Sequence, residues 1–95
     1  MTPDQAQLII DRLKKGEKFS TRFQSESWGI SYRSDGRFYY YTNRLYAKQN
    51  EAGKWIQVDE WDDKFYDETA VSRLLQIYSF AVIERGLRPE PNRSI

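Results

Sequence analysis

The sequence contains no cysteine and no histidine. Disulfide bonds, thiolate zinc sites, nucleophiles activated by an imidazole, and haem or zinc ligation through histidine are therefore excluded. The sequence also lacks a glycine-rich phosphate loop and a Gly-x-Ser-x-Gly nucleophile motif. Tyrosines, lysines and carboxylates remain as conceivable catalysts, but no spacing singles any of them out. We therefore predict a protein that is not an enzyme and that uses no cofactor.

The chain has neither an excess of charge of one sign nor a long apolar run. Its 15 basic and 14 acidic residues give a net charge of +1, which creates no overall field that would attract nucleic acid or an anionic membrane. The first residues place acid before base without a long apolar stretch, so we expect neither a signal peptide nor a membrane span. We expect no membrane partner and a cytoplasmic location, which suits a chain without cysteine.

Aromatic residues are abundant instead, at 16% of the 95 residues. Because the mean hydropathy is only −0.85, we expect one small globular domain whose core is built largely from rings. All three tryptophans and five of the seven tyrosines fall within residues 28–61. The sequence predicts a single domain over residues 1–87 and, because of its prolines and lack of periodicity, a mobile tail over residues 88–95.

Two helices are predicted from their end signals. Thr2 and Gln5 have the spacing of a capping box, and the apolar positions that follow predict a first helix over residues 3–15. Asp67 is a suitable N-cap for a second helix over residues 68–85. Between the helices, alternating residues predict four strands. The fold class is therefore α+β, a four-stranded antiparallel β-meander with both helices packed on one face, in the order α-β-β-β-β-α.

The two hairpins within residues 28–61 set the register of the sheet. Asp35-Gly36 is typical of a type I′ turn and predicts that Tyr32 pairs with Tyr39 and Ile30 with Tyr41. The second turn has two alternatives. A three-residue loop of residues 51–53 sets Ala47 opposite Gln57, whereas a four-residue loop of residues 50–53 sets Ala47 opposite Ile56. The apolar pattern favours the four-residue loop, since a slip of one residue moves every side chain to the other face.

These registers divide the side chains between a face covered by the helices and an uncovered face. Leu74 and Tyr78 of the second helix are expected to lie buried against the covered face. That face is predicted to carry Trp28, Ile30, Tyr39, Tyr41, Leu45, Ile56 and Val58, with Ile30, Tyr39 and Tyr41 in contact with the helix. The uncovered face is predicted to carry exposed rings among cations, a combination that usually marks an interaction site. The candidate binding residues on it are Arg33, Phe38, Tyr40, Arg44, Tyr46, Trp55 and Trp61.

The sequence thus predicts a binding module that acts through its uncovered face. Self-association as a homodimer, or binding of a protein partner, is the favoured hypothesis, because Trp and Tyr are enriched at such interfaces. Binding of single-stranded nucleic acid on the same face and binding of a small ligand are the alternatives. The acidic cluster Asp59, Glu60, Asp62 and Asp63 is interpreted as a solvated loop between strand and helix, with no metal site.

Overall fold

The computed structural model describes residues 1–23 and 25–89, without the side chain of Phe23. The elements run in the order α1 (Pro3–Lys14), β1 (Glu17–Phe23), β2 (Glu26–Tyr32), β3 (Phe38–Gln49), β4 (Trp55–Tyr66), α2 (Glu68–Leu75), α3 (Phe80–Gly86) and β5 (Leu87–Pro89). The strands form one antiparallel sheet in the order β4-β3-β2-β1-β5. The predicted α+β meander with helices packed on the sheet is confirmed, with five strands in the described residues instead of four.

The core lies between the helices and one face of the sheet. It is built from apolar side chains that are at most 8% exposed, contributed by all three helices and by β1, β2, β3 and β5. These residues are Ala6, Ile9, Ile10, Leu13, Phe19, Ile30, Phe38, Val71, Leu75, Ile83 and Leu87. Four of them repeat along α1 at the predicted helical spacing. The apolar positions that predict the first helix from the sequence are therefore confirmed as the face of α1 that packs into the core.

Both helix starts have the predicted caps. The Thr2 hydroxyl accepts a hydrogen bond from Gln5 N at 3.2 Å, and the Gln5 side chain accepts one from Thr2 N at 3.0 Å. The Asp67 carboxylate accepts from Ala70 N at 2.8 Å. Each cap satisfies main-chain N–H groups that have no partner within the helix.

The prediction of one continuous C-terminal helix over residues 68–85 is wrong. The helix stops at the end of α2, and a new one starts at α3, with Tyr78 in the connection. Tyr78 stacks on Trp28 with ring centroids 4.7 Å apart, so the break brings a ring back onto the sheet. Leu75 is fully buried, whereas Leu74, which was expected in the core, is only partly buried.

The chain after α3 joins the sheet. Gly86 packs against β1 so closely that a Cβ atom there would overlap the ring of Phe19. Leu87–Pro89 then pairs with β1 as an edge strand. Residues 88 and 89, predicted to begin the tail, are thus part of the sheet. Residues 90–95 lie outside the described residues.

The first tight turn forms where expected but with a shifted register. Asp35 and Gly36 both have positive φ, as a type I′ turn requires. Arg37 O accepts from Arg33 N at 2.9 Å, while Arg37 N donates to Ser34 O at 3.0 Å. Arg33 and Ser34 therefore both lie opposite Arg37, which is a β-bulge.

This bulge moves β3 by one residue relative to β2. Tyr32 pairs with Phe38 and Ile30 with Tyr40, so the predicted pairings of Tyr32 with Tyr39 and of Ile30 with Tyr41 are wrong. Every side chain of β3 consequently lies on the face opposite to the predicted one.

The second turn adopts the three-residue alternative, so the four-residue prediction is wrong. Ala47 lies opposite Gln57, and Asn50 N donates to Lys54 O at 2.9 Å across the loop. The Asn50 side chain also accepts hydrogen bonds from Ala52 N and Lys54 N. Turn chemistry decides the register here, because none of the three described helices covers this part of the hairpin.

The last contact of β3 with the chain before β2 is the hydrogen bond that Leu45 N donates to Ser25 O, and beyond it, among the described residues, β3 and β4 pair only with each other. We call residues 46–58 the arm. Its side chains are mostly exposed on both faces; Ile56, for example, is 40% exposed. The acidic cluster lies on β4, which continues to Tyr66, and not in a loop as predicted. In the described part of the chain, no helix is long and apolar enough to cross a membrane.

Candidate interaction surface on the open face

We call the sheet face that is turned away from the helices the open face. The strand registers place small and basic residues on its β1 and β2 half, and rings and acids on its β3 and β4 half. The first half carries Lys18, Ser20, Arg22, Ser27, Gly29, Ser31 and Arg33, and the second carries Tyr39, Tyr41, Asn43, Leu45, Asp59, Trp61, Asp63 and Phe65. The two halves differ in both shape and charge.

Four rings form a continuous ridge along the β3 and β4 half, which we call the ring ridge. Tyr39 contacts Phe65 at 5.5 Å and Tyr41 at 6.1 Å between centroids, and Tyr41 contacts Trp61 at 5.8 Å. Trp61 is 63% exposed and Phe65 is 57% exposed. The two tyrosines hold the ridge in place, and the two β4 rings project from it.

The ring ridge extends toward the small residues of β2. Tyr41 lies opposite Gly29, and a Cβ atom at Gly29 would overlap the Tyr41 ring. A larger residue there would lift the ring off the sheet, because side chains directly opposite each other on one face compete for the same space.

A hollow of about 250 Å³ lies beside the ridge. Ser20 and Ser31 contribute to its lining, together with the rings of Tyr39 and Tyr41 and the cations Lys18 and Arg33. The Arg33 guanidinium lies over the Tyr39 ring at 4.8 Å from its centroid, a cation–π contact. The hollow is therefore bounded by positive charge on one side and by ring surface on the other.

The acids of the open face are hydrogen-bonded within the ring ridge half. Asp63 accepts from the Tyr39 hydroxyl at 3.1 Å, and Asp59 accepts from the Asn43 side chain at 2.6 Å. Burial and the hydrogen bond to Asp63 raise the pKa of Tyr39, which keeps the phenol protonated as a donor. Negative charge thus lies beside the exposed rings of β4, and positive charge lies on β1 and β2.

The structure separates the seven candidate binding residues. Phe38 is fully buried, and Tyr40 is half-buried against Trp28 and Tyr66. Those on the helix side of the sheet are Phe38, Tyr40, Arg44 and Tyr46, and those on the open face are Arg33, Trp55 and Trp61. The prediction that all seven share one uncovered face is therefore wrong. The cause is the bulge in the first hairpin, which exchanges the two faces of β3.

Sequence reasoning placed Arg22 on the uncovered face, but it missed four other residues of the open face: Tyr39, Tyr41, Asp63 and Phe65. Tyr39 and Tyr41 were missed because of the register. The signal for Phe65 was present, because the alternation of Trp61, Asp63 and Phe65 continues the period of β4 past the predicted strand end.

Within the described residues, no three acidic side chains come together in a group that could hold a metal ion. Comparison with known proteins found no matching family model, no similar curated protein and no similar solved structure. The chemistry of the surface is therefore the basis for inferring a function.

Proposed function

We propose that the protein is a binding module whose open face associates with a second copy of the same chain to form a symmetric homodimer. The supporting observation is that the two halves of the open face are complementary to each other in charge and shape. One half carries cations around a hollow, and the other carries carboxylates beside projecting rings. A surface with two complementary halves can bind a copy of itself across a two-fold axis.

The charges also select the direction of that axis. A two-fold axis parallel to the strands reverses the strand order, so that β4 of one copy faces β1 of the other. Arg22 then lies near the partner's Asp63. An axis perpendicular to the strands would instead place β4 against β4 and bring like charges together, which costs free energy. We therefore propose the parallel axis.

The registers add a second argument for this arrangement. Arg22, Ser27, Asn43 and Trp61 form one row across four strands, and Ser20, Gly29, Tyr41 and Asp63 form the next. Under the parallel axis each row faces its own copy in reverse order, within the roughly 30° angle at which aligned sheets pack. Trp61 then faces Arg22, which favours a cation–π contact, and the neighbouring Phe65 faces the hollow.

Single-stranded nucleic acid remains the alternative occupant. Exposed rings favour base stacking. The position of Asp59 and Asp63 weighs against it, because phosphates drawn to a strand stacked on Trp61 and Phe65 would approach carboxylates. We also keep the cytoplasm as the proposed compartment, because a chain without cysteine needs no oxidising environment.

The first test is the molecular mass in solution, measured by size-exclusion chromatography with light scattering. We expect the wild type at about 100 μM to have twice the chain mass of 11.4 kDa. Because a symmetric dimer contains Trp61 twice, Trp61→Ala should raise the dimer dissociation constant about 1,000-fold, corresponding to roughly 2 kcal/mol for each of the two interface hot spots. Trp55→Ala is the matched control. Trp55 is 67% exposed on the same strand and the same face, but it lies on the arm, which does not face β1 of the second copy in the proposed dimer.

The second test is a charge exchange. Arg22→Asp and Asp63→Arg should each weaken self-association, because each puts like charges across the proposed interface. An equimolar mixture of the two variants should form a heterodimer, because residue 22 of each copy then has a charge opposite to that of residue 63 in the other copy. A wild-type monomer at millimolar concentration, or a mixture that stays monomeric, would refute the proposal. A monomer that binds oligonucleotides with a steep salt dependence would favour nucleic acid instead.

A further inference from the structure

On the helix-covered side of the sheet, a cleft opens between the α2–α3 connection and the strands β2, β3 and β4. Its volume is about 410 Å³, within the range of roughly 300–1,000 Å³ that is usual for small-ligand sites. Trp28, Tyr40 and Tyr78 form part of its lining. The cleft lies on the opposite side of the sheet from the open face, so it can be tested independently of the proposed dimer.

The ring walls of the cleft are held in place by one another. Trp28 stacks on Tyr78 with centroids 4.7 Å apart and contacts Tyr40 at 5.8 Å. Burial, followed by the proximity of Tyr78, raises the pKa of Tyr40 to about 12, so its hydroxyl is neutral at physiological pH. The walls thus offer preformed apolar surface and the uncharged hydroxyl group of Tyr40.

The polar part of the lining is predominantly acidic. Among the described residues it contains the three carboxylates Glu26, Glu60 and Asp62 and a single cation, Arg44, which together give a formal charge of −2. Arg44 is already engaged, since its Nε lies 3.8 Å from the Glu26 carboxylate and its guanidinium lies over the Tyr46 ring.

Two of the carboxylates are available to a ligand. Glu60 accepts only a neutral hydrogen bond, at 3.0 Å from the Tyr46 hydroxyl. Asp62 has no hydrogen bond or ion pair within the described residues. Within the described residues, neither Glu60 nor Asp62 therefore has an ion-pair partner.

From this arrangement we infer that the cleft binds an organic cation that carries a primary ammonium group on an aliphatic chain. The ammonium group would pair with Asp62 and Glu60, and the chain would lie against Trp28 and Tyr40. The charge repels anionic ligands, and the carboxylates are not grouped as a metal site requires. A lysine side chain of a protein and a free diamine both have this chemistry.

The test is a titration of ¹⁵N-labelled protein with three probes, followed by NMR at the Trp28 indole N–H. The probes are 1,5-diaminopentane, Nα-acetyl-lysine methylamide and the neutral analogue 1,5-pentanediol. We expect saturable shifts with both amines and none with the diol. Tighter binding of the lysine derivative would identify a protein segment as the source of the cation, and tighter binding of the diamine would identify a free polyamine; either supports the inference.

Variants test the role of the carboxylates. Asp62→Asn should weaken binding of the amines about fivefold, the factor that corresponds to about 1 kcal/mol for an exposed ion pair. Asp59→Asn is the matched control, because it removes the same charge from the same strand on the opposite face. Far-UV circular dichroism is the control for whether each variant is folded. Equal binding of diol and diamine, no shift at Trp28, or equal effects of the two variants would overturn the inference.

Discussion

Replacing Phe38 by alanine tests the register of the sheet directly. The sequence pattern predicts this ring on the uncovered face, whereas the structure buries it completely and packs it edge-on to the Tyr32 ring at 5.2 Å. Truncating a buried phenylalanine costs about 3–5 kcal/mol, through lost transfer free energy and the cavity that remains. A chain of this length has a total stability of roughly 5–14 kcal/mol, so the loss is a large fraction of it.

The assays are urea unfolding and thermal unfolding, both followed by far-UV circular dichroism at a low micromolar concentration where self-association contributes little. Phe38→Ala should lower the free energy of unfolding by at least about 3 kcal/mol and the Tm by more than about 12 °C. Trp55→Ala, which removes a larger but exposed ring, should cost less than about 1 kcal/mol. Phe38→Leu keeps part of the buried side-chain volume. It should therefore lose less free energy of unfolding than Phe38→Ala, and this loss can be measured even if the alanine variant is unfolded.

The reasoning would be refuted if Phe38→Ala unfolded within 2 °C of the wild type, a margin that corresponds to about 0.5 kcal/mol. It would also be refuted if Trp55→Ala were the more destabilised of the two. An unperturbed Phe38→Ala variant would mean that the faces of β3 are exchanged and that the bulge at Arg33 and Ser34 is absent. A more destabilised Trp55→Ala variant would mean that Trp55, and not Phe38, is the buried ring.

Two further predictions concern the pH dependence of stability and a close backbone approach. Because the pKa of Tyr40 is raised to about 12 in the folded protein, its contribution to stability is present below pH of about 10 and is lost as the pH rises toward 12. The Tm measured across that pH range should therefore fall less steeply for Tyr40→Phe than for the wild type, and an equal fall of the Tm would contradict the burial of Tyr40. Gly86→Ala should destabilise by about 1–2 kcal/mol in urea unfolding although alanine favours helix, because its Cβ would overlap the Phe19 ring; a stabilised variant would contradict this packing.

The features that could be predicted from sequence are those that short segments decide. Thr2 and Gln5 cap α1 through bonds that span three residues, and Asp67 caps α2 in the same way. The positive φ values of Asp35 and Gly36 follow from the turn type alone. None of these depends on what the rest of the chain does, so local patterns suffice.

The face assignment of β3 could not be predicted, because residues 38–41 are four consecutive rings. Either register buries two rings and exposes two, so the alternation that normally selects a register gives no preference. The arm presents the opposite difficulty. Ile56 and Val58 of the arm were expected to share a buried face with Leu45 at its base, but no helix of the described residues lies beneath the arm, and the turn at Asn50 fixes the pairing instead.

The candidate site was predicted in kind but only partly in its residues. An uncovered sheet face rich in rings is present, and Trp61 and Arg33 lie on it. The break between α2 and α3 was not predictable from end signals, since Tyr78 leaves the helix to stack on Trp28, a contact between residues 50 positions apart. Tertiary packing of this kind overrides helix propensity.

The arm also divides the molecule into parts of unequal local stability. A two-stranded hairpin without a covering layer is at best marginally stable alone, so residues 46–58 should open in small fluctuations while the helix-backed strands stay closed. Their amide hydrogens would then exchange with solvent long before those of β2. The proposed contact rows of the open face lie over the slowly exchanging block. The surface that a partner would bind is therefore already ordered, so that little conformational entropy is lost on binding.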